Sequence, residues 1–318
     1  MTTVHHDGSH SHGRSAPDAC SVEWDAATTE SLYGTAAPAR FWVAVEQNGP
    51  WGRTAATQSY LPTDVGDELT RACRAAGGRL GLIRRPGEHA DPRTGPRLCY
   101  LAWSGPNAFL LVGRMETPED LLRLPFEALA SGDLEAVRAA LPQFRPSEPI
   151  FLVCTNGRHD VCCAIRGRPV ALTGHQRHPG RVWECSHTGG HRFSPTGVLL
   201  PWGRTLGRLD MTSVGELLES ADLGDLPFGM LGPWHDRGSS AYAPPVQVGE
   251  SAVRDEIGET DLDALTAVLY APLEVRVSHR DGRRWTVALS VVEGERRRNS
   301  CGEPEVPART WTASVRPV

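Results

Sequence analysis

Apolar residues along this chain fall into short runs bounded by Gly, Pro and charged residues, and the order of those runs repeats. In the first half FWVAV (41–45) predicts a strand and VGDELTRACRAA (65–76) has the spacing of an amphipathic helix. RLGLI (79–83), RLCYLAW and AFLLVGR predict three further strands, followed by a helix at TPEDLLRL. In the second half IFLVC (150–154), a helix beginning near Cys163, RVWEC (181–185), the strand pair GVLLP and TLGRLD, and a helix at TSVGELLES follow in the same order. Both halves read β-α-β-β-β-α. VEQNG (45–49) mirrors VCTNG (153–157), and GRMETPEDLL (113–122) mirrors GRLDMTSVGELL (207–218). These matches indicate an internal duplication in which Glu46 takes the place of Cys154.

Beyond about residue 225 the pattern changes. LPFGMLGPWHDRGSSAYAPPVQ is rich in Gly, Pro and Ser and predicts an irregular connector. SAVRDEIG and DLDALTAVLY predict a helix or two, and LEVRVSHRDGRRWTVALSVVEG predicts a β-hairpin turning at Asp-Gly. ERRRNSCGEP predicts a charged, turn-rich loop with a solvated arginine run. The expected division is a disordered tail (1–19), a metal-free domain (20–145), a second domain that carries the chemistry (146–230), and a connector with a helix and hairpin extension (231–318).

Composition narrows the function. A length of 318 residues suits about two domains, and 22% charged with 40% hydrophobic residues is ordinary for a globular chain. The formal charge of -5 argues against nucleic acid as a partner. All 33 basic residues are arginine, which fits GC-rich coding and carries no mechanistic weight. With no run of about 18 apolar residues and no apolar signal segment in the polar start, no membrane association and a cytoplasmic location are expected. Eight cysteines in a reducing compartment are free thiols or metal ligands rather than disulfides. Cys20, Cys73, Cys99 and Cys301 read as small buried residues. His5, His6, His10 and His12 read as part of the polar tail.

The remaining cysteines carry the chemistry. Cys154 and Cys163 stand in C-x8-C spacing, His187 and His191 in H-x3-H spacing, and Cys162 and Cys185 lie beside them as spare thiols. Zinc and iron both accept thiolate and imidazole, so the residues alone leave a structural zinc site and an iron-sulfur site open. A third possibility is a thiol-redox or cysteine-nucleophile enzyme in which His159 or His187 activates Cys154 or Cys163. Against it, no C-x2-C pair opens the helix, and the H-x3-H element would have no purpose. Gly157, Gly189 and Gly190 give the loops access to positive φ, which several converging ligands need. His159, His175, His178 and His235 read as ordinary loop or surface histidines, and Trp183 and Phe193 as core or shielding residues.

CTNGRHDVCC followed by WECSHTGGHRF resembles the sucrase/ferredoxin-like family, and the likeness extends to EQNGPWGR, LIRRPG and RGSSAYAPPVQ, covering most of residues 20–250. The resemblance implies thioredoxin-like domains and a [2Fe-2S] cluster held by Cys154, Cys163, His187 and His191, with Cys162 and Cys185 as alternate ligands. It implies a one-electron carrier rather than an enzyme, working with a reductase or an electron-accepting protein, or else a sensor of iron or redox state acting through protein contacts. The sucrase label finds no pair of carboxyl groups near the motif. Two thiolates and two neutral imidazoles would leave the oxidised cluster formally neutral, where four thiolates leave two negative charges. The potential should then lie above the plant-type range, nearer the Rieske range, and become pH-dependent at alkaline pH. Arg158, Arg166, Arg168 and Arg192 either raise that potential and attract an acidic partner or are solvated surface groups. The first domain would cover or scaffold the second.

Overall fold

The computed structural model describes residues 19–27, 30–88 and 95–318. The tail histidines His5, His6, His10 and His12 lie outside the described residues. After a short helix, α1 (Cys20–Asp25), the first repeat runs β1 (Phe41–Glu46), α2 (Ala55–Gln58), α3 (Thr63–Ala75), β2 (Arg79–Arg84), β3 (Arg97–Trp103) and β4 (Phe109–Met115), then α4 (Phe126–Ser131), α5 (Leu134–Ala140) and a two-residue β5 (Arg145–Pro146). The second runs β6 (Ile150–Cys154), α6 (Val161–Arg177), β7 (Val182–Cys185), β8 (Gly197–Leu200), β9 (Arg204–Leu206) and α7 (Ser213–Ala221). β10 (Asp236–Ser239) and α8 (Pro244–Ile257) follow.

All ten strands join one mixed sheet in the order β10-β9-β8-β6-β7-β2-β1-β3-β4-β5. Within it the repeats have the same topology: β1 is parallel to β2 and antiparallel to β3, as β6 is parallel to β7 and antiparallel to β8. Register confirms the equivalence, since Glu46 pairs with Ile83 where Cys154 pairs with Cys185. Ile83 and Cys185 then pair with each other across the antiparallel β2·β7 seam, so the two halves meet about a local two-fold. Beside that pair a buried ion pair closes the seam: Arg84 Nη2 lies 2.7 Å from Glu184 Oε2, and Thr155 Oγ1 donates to the same oxygen at 3.0 Å.

Helices cover one sheet face in two separate cores. α3 buries Val65, Leu69 and Cys73, spaced four apart, against Phe41, Val43 and Val45. α6 and α7 bury Val170, Ala171, Val214 and Leu217 against Phe151 and Val153. The opposite face is shared, since Trp42, Ala44, Ile83, Ile150, Leu152, Trp183 and Cys185 form one cluster. α6 approaches β6 closely because residue 167 is glycine. A Cβ there would stand 2.3 Å from the carbonyl oxygen of Cys154.

Three expectations are corrected. DLDALTAVLY is not helical: it holds the strand β11 (Leu265–Ala271), with Leu265 and Ala267 buried and Thr266 and Val268 exposed. That alternation is the period of a strand, and β11 pairs antiparallel with β12 (Glu274–His279). The expected hairpin is β12 and β13 (Arg284–Arg297), and β14 (Val306–Pro317) completes a separate four-stranded antiparallel sheet packed on α8. TPEDLLRL forms a 3-10 turn (Pro118–Arg123) closed by a Thr117/Asp120 capping box. The connector is not wholly irregular, because it supplies β10, paired to β9. Among the described residues no helix is long and apolar enough to cross a membrane.

Candidate metal centre

Cys154 ends β6, and the loop 155–160 returns the chain to the first turn of α6. Asp160 caps that helix, its Oδ1 accepting from the Cys162 N–H at 2.9 Å. Successive helical residues are turned by about 100°, so Cys162 and Cys163 point to different places. Cys163 joins Cys154 in the interior. Cys163, the His187 imidazole and the Thr188 backbone N–H stabilise the Cys154 thiolate and hold it well below the usual thiol range, against a burial that leaves it 1% exposed. The Cys163 thiol is pushed up by Cys154 and by burial.

The histidines come from the loop that follows β7. Ser186 pairs with Leu82 of β2 through N–H to O at 2.8 Å, and Arg79 Nη2 donates to the His187 carbonyl at 3.1 Å. Gly189 (φ +92°) and Gly190 (φ +75°) then fold the chain back in the left-handed region. The His187 and His191 rings lie 5.7 Å apart between centroids. Nδ1 of each is buried and has no hydrogen-bond partner. Burial lowers the His191 pKa, with Asp160 (Oδ2 3.7 Å from Nε2) opposing, so the ring is neutral near pH 7, the form that ligates a metal. Two buried imidazole nitrogens without partners, beside a buried thiol pair that carries a thiolate, fit a cation-containing centre.

His159 is not the isolated surface residue its loop position suggested. Its ring stacks on His187 at 3.7 Å, and His159, His187 and His191 can bring one nitrogen each within 4.8 Å of one another. His175 and His235 lie near backbone carbonyls of Val182 and Gly207. Cys185 packs in the shared core beside Gly81, and burial pushes its thiol up. Cys162 belongs to a different group, with Cys20 and Cys301. Cys73 and Cys99 are plain core residues.

Arg158 and Arg168 are exposed, Arg166 pairs with Asp25 at 2.5 Å, and Arg192 lies over Trp24 and Phe193, lowered to about 10 by burial. A further cation held on the loop is one that sequence reasoning missed. Arg237 of β10 is 1% exposed, and burial lowers it to about 9, with Arg192 and Arg79 adding to that shift and Cys154 opposing it. Its Nη1 donates to the Gly189 carbonyl at 2.9 Å and its Nε to Thr35 Oγ1 at 3.0 Å. The signal was present in RGSSAYAPPVQ, which carries the family resemblance inside an apparent connector. The first repeat also braces the site, through Asn156 Nδ2 to the Gly52 carbonyl at 3.1 Å. His159 and His187 open on a groove of about 300 Å³ that Arg53 and Arg79 also line.

The duplicated fold and this donor set define an α/β protein with Cys/His groups able to hold a metal at the carboxyl ends of the parallel strands β6 and β7. The sucrase/ferredoxin-like family matches residues 32–226, more than half of the chain, and the chain belongs to that family. No curated protein and no solved structure matches it. The matched span includes both repeats, and Cys20 and Cys301 fall outside it.

Proposed function

We propose that the protein is a one-electron carrier whose [2Fe-2S] cluster is held by Cys154 and Cys163 on the buried side and by His187 and His191 on the side of the groove. The observation that carries this reading is the pair of buried, unpartnered Nδ1 atoms of His187 and His191, in the loop whose His187 imidazole lowers the buried Cys154 thiol. A bound cluster supplies one-electron oxidation and reduction. The protein supplies the rest: Gly189 and Gly190 set the histidine spacing, Arg237 fixes the loop and places a cation behind it, and the first repeat excludes water from the thiolate side. Arg53, exposed at the groove rim, suits an acidic redox partner. An enzyme nucleophile fits less well, because Cys154 is 1% exposed and cannot meet a substrate.

The test is iron, acid-labile sulfide and zinc content of anaerobically purified protein, with a visible spectrum before and after dithionite. Two irons and two sulfides per chain and a bleachable spectrum are expected. His187→Ala or His191→Ala should alter or abolish that spectrum, while His175→Ala leaves it intact. A colourless protein with zinc bound through Cys154 would sink the proposal. Histidine ligation further requires a potential that falls with rising pH in the alkaline range, and a flat curve there would count against it.

A further inference from the structure

We propose that Cys20, Cys162 and Cys301 form a second metal site, separate from the first, which binds one Zn²⁺ and clips both ends of the chain to the start of α6. The three Sγ atoms form a nearly equilateral triangle, with Cys20 to Cys162 at 3.6 Å, Cys162 to Cys301 at 3.3 Å and Cys301 to Cys20 at 3.6 Å. A point equidistant from all three in their plane lies about 2.0 Å from each, so an ion at the ordinary Zn–S distance of about 2.3 Å sits roughly 1 Å out of that plane. That is a pyramidal S₃ arrangement with a fourth position open, as tetrahedral zinc requires.

Asp160 is the candidate fourth donor. One of its oxygens lies within 4.8 Å of all three sulfurs, and Oδ2 is 3.9 Å from Cys20 Sγ. The same carboxylate also fixes the ligands' backbone: Oδ1 accepts from the Cys162 N–H, and Oδ2 accepts from the Cys301 N–H and Ser300 Oγ, each at 2.9 Å. Either Oδ2 or a water held by it completes the coordination. Binding Zn²⁺ would displace the thiol protons, and the ion would then balance the thiolates and the Asp160 carboxylate in a corner where Arg192 is a neighbouring cation. Soft thiolates with one hard oxygen suit zinc, which has no geometric preference to oppose a tetrahedron.

The ligands are remote in sequence, 142, 139 and 281 residues apart in pairs. Independent contacts already dock the same segments: Trp24 Nε1 donates to the Arg298 carbonyl at 3.0 Å, Arg298 pairs with Glu23, and Arg208 Nη2 donates to the Trp24 carbonyl at 2.7 Å. Ligands separated by such long loops give a clip its greatest effect on the unfolded chain.

Metal analysis of the full chain, expressed with added Zn²⁺ and purified anaerobically, tests this. One zinc per chain is expected, falling to near zero in Cys20→Ser and Cys301→Ser while iron and the visible spectrum persist. Cys154→Ser should lose iron and keep that zinc. Cys301→His, which retains a zinc ligand, should hold zinc and so separates ligation from simple misfolding. A wild-type chain with iron but no zinc, or with Cys162 and Cys301 joined as a disulfide by intact mass, overturns the site. Loss of iron together with zinc in Cys301→Ser also overturns it, by assigning these thiols to the first centre. A chain without iron that still loses one zinc in Cys301→Ser would instead remove the electron-carrier reading and leave the clip standing.

Discussion

Replacing Gly190 with alanine puts a methyl group where Arg237 lies. At φ +75° the backbone is in the left-handed region, which costs an L-residue roughly 1–2 kcal/mol. The new Cβ would stand 2.3 Å from Arg237 Nη2, so the guanidinium has to move. It is fully buried, and it donates to the Gly189 carbonyl, to Thr35 Oγ1 and to the Thr35 carbonyl. A hydrogen bond from a charged donor contributes about 1.5–3 kcal/mol, so losing one or two brings the total to roughly 2.5–8 kcal/mol. Gly189→Ala is the internal control. Its φ of +92° imposes the same backbone strain, but the nearest atom to its Cβ would be Ala37 Cβ at an ordinary 3.5 Å. For a chain of this length the unfolding entropy is about 0.6–0.7 kcal/mol per kelvin, so Gly190→Ala should lower Tm by roughly 4–12 °C and Gly189→Ala by about 2–3 °C. Calorimetry on anaerobically purified protein reads both. Adding Arg237→Ala to Gly190→Ala should change little further, because the two share one loss. Equal drops for the two glycine variants would refute the overlap with Arg237.

Other consequences follow from the seam, the helix start and a buried group in which Glu250 lies 2.7 Å from Arg204 and 2.8 Å from Arg254. Arg84→Met strands the buried Glu184 carboxylate and should cost about 3–5 kcal/mol, whereas Arg84→Met with Glu184→Leu should recover most of it; additive losses in urea titrations would show that the pair is not coupled. Burial raises Glu250, but Arg204 and Arg254 outweigh it and bring its carboxyl down to about 2. Its contribution is therefore present above the ordinary carboxyl range near 4.3 and is lost as pH falls toward 2, an amount of about 3 kcal/mol. Glu250→Gln should flatten the Tm–pH curve in that window, and an unchanged slope would remove the pair as its source. Adjacent cysteines should also separate: Cys163→Ser should abolish the visible spectrum and Cys162→Ser should preserve it, and identical effects would contradict their divergence at the start of α6.

Much of this was legible as pattern. The repeated strand order survives as two topologically identical half-sheets, and the mirror of Glu46 and Cys154 survives as register. What sequence periodicity could not show is that the halves would share one sheet, because the joining contact between β2 and β7 involves two residue pairs and no local signal. DLDALTAVLY was misread because its apolar density outweighed its two-residue alternation. At the site, spacing marked Cys154, Cys163, His187 and His191; the structure sets Cys163 and His187 against Cys154 and groups His187 and His191 with His159, whereas convergence of Cys20, Cys162 and Cys301 depends on tertiary contacts between segments remote in sequence. Arg237 was hidden for the same reason, since its function comes from the chain it faces and not from its neighbours in sequence.

The two repeats differ most in the loop that follows their first strand. In the second repeat a short loop joins β6 directly to the capped start of α6, which delivers Cys163 to Cys154. In the first, the segment between β1 and α3 is longer and contains α2 and Trp51. Trp51 is buried, donates to the Gln47 carbonyl at 2.9 Å, and lies beneath Arg84 at 4.1 Å. Trp51 packs there with Val43 and Val45 in the helix-side core of the first repeat. The same loop presents the Gly52 carbonyl to Asn156 and the Arg53 carbonyl to His159. The longer loop of the first repeat therefore covers the histidine side of the second. Shortening that loop to the length found in the second repeat should expose the histidine side of the centre before it alters the sheet.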